Sequence, residues 1–205
     1  MTTNRAGAAV GFTIKSGWAA MVVLAGSSAD PSVASNTRIE LSDPDEPDQR
    51  QPYHAGFGTA RAADATLARL LKGVKHYSRR SVDDALRSAR GAGHEISRAG
   101  LVVGSTVDPA TIANDHIRIH ALEGKLFREL VADAATASGI ECTIWRERDL
   151  YAAAAGALDR SETDLKAALV ALKKTTTGVW RSEQKAAATA AWMLLADRGQ
   201  RSRRS

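Results

Sequence analysis

The stretch "AAVGFTIKSGWAAMVVLAG", residues 8–26, decides the fold. Val10, Phe12 and Ile14 alternate with Gly11, Thr13 and Lys15, the period-2 pattern of a half-buried β-strand. Ser16-Gly17 supplies a tight turn, because glycine reaches positive φ without a steric penalty. From Trp18 to Leu24 the chain returns almost wholly apolar, as a central strand does. The segment is therefore a β-hairpin, and its apolar return is too short to span a bilayer.

Working outward, "SVASNTRIELS" (32–42) reads as a third strand. The segment "DPDEPDQRQPYHAGFG" (43–58), rich in proline and acids, is a surface loop, with His54 as a solvent-facing histidine. Leu67, Leu70, Leu71 and Val74 recur at helical spacing within 59–80, and Ser81 reads as the N-cap of a second helix. "GLVVGST" (100–106) is a short buried strand. Asp108-Pro109, an N-cap acid followed by proline, starts a long helix that stops towards Gly139. "IECTIW" (140–145) is the next strand, followed by helices in "ERDLYAAAAGALD" and "SETDLKAALVALKK". Ser161 and Asp164 have the spacing of a capping box. After the loop "TTTGVW", the alanine-rich "RSEQKAAATAAWMLLADRG" closes the chain as a helix. Three strands followed by alternating helix and strand give an α/β protein (β-β-β-α-β-α-β-α) with a mixed five-stranded sheet flanked by helices.

The 205 residues fit one domain, and 44% hydrophobic with 25% charged residues is ordinary for a globular chain. Most of the net charge of +5 comes from Arg198, Arg201, Arg203 and Arg204 in "RGQRSRRS". The expected division is a domain over 1–197 and a basic, disordered tail over 198–205 that is solvated or touches phosphate non-specifically. A single cysteine, Cys142, excludes an intramolecular disulfide and reads as a buried thiol in a reducing compartment. No segment reads as a secretory signal or a membrane span, so the expected location is the cytoplasm.

The order of elements resembles the ribonuclease H-like superfamily, which includes the RuvC-type Holliday-junction resolvases. "AVGFTIKSGWAAMVVL" is similar to that family's first hairpin, "GLVVGSTVDPATIANDHIRIHALEGKLFREL" to its fourth strand and following helix, and "WRSEQKAAATAAWMLLA" to its closing helix. The resemblance implies carboxylates on the first strand, the fourth strand and the last helix, holding two metal ions for phosphodiester cleavage. This chain departs from that pattern. The matching positions hold Thr13 (Lys15 in a slipped register), Gly104 and Ser105, and Lys185, with Glu183 two residues earlier.

On a helical wheel of about 100° per residue, His116, His120 and Glu123 share the inward arc with Ile119, Leu126, Phe127 and Leu130. The helix therefore presents a polar inward face first and an apolar one later, as expected where its start lines a cleft beyond the sheet. Four roles fit the polar trio. It can bind a divalent metal, since imidazoles at i and i+4 converge. It can supply acid–base chemistry oriented by Glu123, or hydrogen-bond a phosphate. It can also simply tie the helix to a loop such as 43–58. Trp180-Arg181 either stacks on a base and holds its phosphate or plugs a helix–sheet junction. Arg146 and Arg148 either face the cleft or pair with Glu147 and Asp149. Dinucleotide-binding, Walker A, HExxH and CxxC motifs are missing.

Together these features lead to a non-catalytic ribonuclease H-like protein binding nucleic acid or a phosphorylated ligand through Thr13, Lys15, Arg181 and Lys185, beside the histidine stripe. A phosphoester hydrolase using His116, His120 and Glu123, and a protein–protein interaction module, are the alternatives. The oligomeric state is left open.

Overall fold

A computed structural model describes residues 7–55 and 63–202 of the chain. Strands β1 (Gly7–Lys15), β2 (Trp18–Gly26) and β3 (Pro31–Glu40) form an antiparallel meander. Gly17 turns the hairpin at φ +78°. A four-residue helix, α1 (Pro52–Ala55), and a long one, α2 (Ala63–Gly91), lead to β4 (Glu95–Val103). Helix α3 (Asp115–Ala137) connects β4 to β5 (Glu141–Arg146). Helices α4 (Leu150–Leu158), α5 (Glu162–Leu172) and α6 (Ser182–Ser202) complete the chain. The sheet order is β3-β2-β1-β4-β5, with β4 parallel to both β1 and β5. The expected mixed five-stranded α/β architecture is thus observed.

β1 is the central strand and is buried on both faces, not half-buried as its alternation suggests. The alternation sorts large from small side chains. Val10, Phe12 and Ile14 enter a core with Val74, Val82 and Leu86 of α2 and Phe127, Leu130 and Val131 of α3. The other face receives α6 at close range. A Cβ on Gly11 would lie 1.8 Å from the Ala187 carbonyl oxygen, and one on Gly100 2.7 Å from the Ala190 Cβ. Small residues on both sides let the helix backbone approach the sheet, which is why α6 is rich in alanine.

Three boundaries differ from those the sequence suggests. Ser81 does not begin a helix, because no breaker separates it from Arg80 and the stripe Val74, Ser78, Val82, Leu86 continues unbroken through α2. Asp108 caps only a 3-10 turn at Pro109–Thr111, and Asn114 is the N-cap of α3, its Oδ1 accepting from the Ile117 N–H at 3.0 Å. The tail expected from 198 begins inside α6, which is helical as far as Ser202. Residues 203–205, and the part of loop 43–58 from 56 onward, lie outside the described residues. Among the described residues, no helix is long and apolar enough to cross a membrane.

Candidate functional site at the carboxyl edge of the sheet

Parallel strands β1 and β4 end side by side, and α3 departs across their carboxyl ends. A cleft of about 570 Å³ opens there. Ile14, Lys15 and Ser16 contribute from the hairpin, Val103 to Ser105 from the end of β4, and His120, Gly124 and Phe127 from α3. Its walls are mainly apolar. Ile112 lines it, and Val107 and Ile117 stand at its rim, each more than half exposed. The sequence reading missed these three, because a loop valine and an isoleucine beside a polar stripe carry no periodic signal.

Beside the cleft, three histidines meet. His116 and His120 lie one turn apart on α3, and His54 reaches them from α1. One donor atom from each lies within 4.8 Å of the other two. The rings of His54 and His120 are 4.5 Å apart between centroids, and those of His116 and His120 4.6 Å. His54 is therefore not the solvent-facing loop histidine of the sequence reading. It is half-buried, and a proline just before it starts a short helix that docks on α3.

Glu123 explains that docking. The first N–H groups of a helix have no partner within it. Those of Tyr53 and His54 donate to Glu123 Oε1 at 2.8 and 3.2 Å, and the His54 N–H is shared with the Gln51 carbonyl. The same oxygen lies 3.4 Å from His54 Nδ1. Glu123 is 1% exposed, and loss of water pushes its carboxyl up to about 7, against the downward pull of the two backbone N–H groups. Although His120 is exposed, partial desolvation, then the nearby charges of His54 and His116, hold it below its ordinary value. Glu123 thus stands behind His54. Among the described residues, the donors that converge are three imidazoles, not the two histidines and a carboxylate that helical spacing suggests.

The phosphate-binding candidates are more scattered. Thr13 is buried, and its hydroxyl donates to the Glu183 carbonyl at 2.8 Å, so it anchors the start of α6 and cannot reach a ligand. Lys15 lines the cleft and pairs with Glu147 at 3.0 Å. Arg181 is exposed at the entry to α6, where its N–H donates to Gln184, and Lys185 is half-buried one turn on. Trp180 plugs the junction of α5 and α6, its Nε1 donating to the Leu169 carbonyl at 2.8 Å. Arg146 and Arg148 both pair with Asp149.

No protein-family model matches the sequence, and no curated protein matches it. The fold does have solved counterparts. The chain superposes on the Thermus thermophilus RuvC structure with a TM-score of 0.58 at 12% identity, covering 94% of this chain and 96% of that one. It superposes on T. thermophilus RuvC in complex with Holliday junction substrate with a TM-score of 0.56 at 11% identity and the same coverage. The fold is ribonuclease H-like and of the RuvC type.

That fold's nucleases would need acidic side chains at three places. Here Thr13 is occupied by a backbone carbonyl, β4 ends in Gly104-Ser105, and α6 offers the ammonium of Lys185. Among the described residues, no acidic cluster forms there. This donor set does not fit a pair of hard divalent ions, which require carboxylate or carbonyl oxygens.

Proposed function

We propose that this protein binds nucleic acid through the carboxyl edge of a ribonuclease H-like fold, without the two-metal cleavage chemistry that the fold supports elsewhere. The observation that carries this reading is the replacement of acids by Thr13, Gly104-Ser105 and Lys185. Where carboxylates would hold cations against phosphate, cationic side chains meet phosphate directly. Lys15, Arg181 and Lys185 take that role, Lys15 by exchanging Glu147 for a phosphate oxygen. The junction-bound form of T. thermophilus RuvC makes a four-way junction a natural ligand to try first. The reading places the protein in the cytoplasm.

The test is fluorescence anisotropy in EDTA with labelled single-stranded, duplex, hybrid and four-way-junction nucleic acid. Affinity should fall at least about tenfold between 50 and 200 mM salt, as phosphate contacts require. Exchanging Arg181 and Lys185 together for alanine should weaken binding. Binding that survives this exchange but vanishes with residues 198–205 contradicts the reading and leaves only tail electrostatics.

A second reading is favoured by the position of His120, in the histidine cluster and on the cleft wall at once. It is a phosphoester hydrolase with His116 or His120 as acid–base and Glu123 as positioning residue through His54. Turnover abolished by His120→Ala in a folded protein supports it; turnover unchanged in that variant rejects it.

A further inference from the structure

We infer that His54, His116 and His120 form a binding site for one divalent transition-metal ion of the zinc class, at the mouth of the cleft. This goes beyond the nucleic-acid reading and stands without it.

Three features point the same way. The donors are three imidazoles from two separate elements, with one nitrogen of each within 4.8 Å of the others. Tetrahedral zinc with nitrogen ligands needs about 3.3 Å between donors. Closing that difference calls for rotation of the rings of His116 and His120, which belong to exposed residues. Next, Glu123 stands where it would orient His54. Nδ1 faces Glu123 Oε1 at 3.4 Å, and a proton held on that nitrogen would leave the Nε2 lone pair free for a metal. Nε2 is buried and has no hydrogen-bond partner, which is costly unless something is bound there. A carboxylate behind a histidine is the arrangement that orients metal ligands and raises their basicity. Finally, an all-imidazole set favours zinc, copper, nickel or cobalt over magnesium or calcium, which prefer oxygen. His120 also lines the cleft, so a fourth ligand, water or an anionic oxygen, would have access from that side.

The test uses the full chain, stripped with EDTA and titrated with Co²⁺, then competed with Zn²⁺. Expected are one Co²⁺ per chain with visible d–d bands, displacement by Zn²⁺ but not by Mg²⁺, and a rise in Tm on loading. His54→Ala, His116→Ala and His120→Ala should each weaken binding about 100-fold or more, and Glu123→Gln about 10- to 100-fold. His116 and His120 are exposed, so their variants should keep the Tm and circular dichroism of the metal-free protein. Binding in His54→Ala equal to that of the unaltered chain would reduce the site to a surface histidine pair and overturn the inference. So would the lack of any d–d band or Tm rise at 100 µM metal. Because the probe is the metal alone, failure to bind nucleic acid leaves this result unaffected.

Discussion

A buried carboxylate is costly unless its oxygens are used. Glu123 Oε1 is used three times over, by Tyr53, by the His54 backbone and by the His54 ring, while Oε2 is buried without a hydrogen-bond partner. Glu123→Ala should therefore release α1 from α3 and cost about 2 kcal/mol of stability, read from urea denaturation, because it strands the Tyr53 N–H. An unchanged midpoint would mean that the contact carries nothing. Spacing on α3 was enough to single out His116, His120 and Glu123, because one helix holds all three. A tie to loop 43–58 was one of the roles their spacing allowed, but the particular partner, His54, was not legible, since a contact between residues about seventy positions apart leaves no periodic trace. Cys142 offers a second check at this scale. Burial pushes its thiol above the ordinary range, so the thiolate is scarcer in the folded than in the unfolded chain at pH 8. A group raised in this way contributes stability at pH values below its unfolded pKa and loses that contribution as pH rises through the folded one. Alkylation at pH 8 should be markedly slower in the native protein than in denaturant; equal rates would show an accessible thiol.

Among the elements, the hairpin, the order of strands and the closing helix could all be read in advance, because hydrophobic period and turn chemistry are local. What local patterning could not convey was the reason for the alternation in β1. Its small residues face a helix, not water, and only the contact of Gly11 with Ala187 makes that visible. Gly11→Val should cost about 3 kcal/mol or more and is expected to impair folding, since the clash is with backbone. A milder pair of variants tests the helix starts. Asn114→Ala should lose about 1 kcal/mol with its cap, whereas Ser81→Ala, in the interior of α2, should be close to neutral. The opposite ranking in thermal melts would restore the boundary at Ser81.

For the whole molecule, the sheet sets two environments at one end. An apolar cleft lies between the hairpin and α3, with a histidine cluster at its mouth, and cationic side chains stand at the hairpin and at the start of α6. The fold itself does not decide the chemistry, since function resides in the groups a fold carries. Here Thr13, Gly104-Ser105 and Lys185 stand where the two-metal mechanism would use acids, and the ligand-binding groups on offer are imidazoles, lysine and arginine. The most direct measurement incubates the purified chain with labelled four-way junctions in Mg²⁺, in Mn²⁺ and in EDTA, and resolves bound and cleaved species together. A salt-sensitive complex that forms equally in EDTA, with no cleavage in either metal, is the result expected. Cleavage that appears with Mg²⁺ or Mn²⁺ and disappears with EDTA would contradict the account.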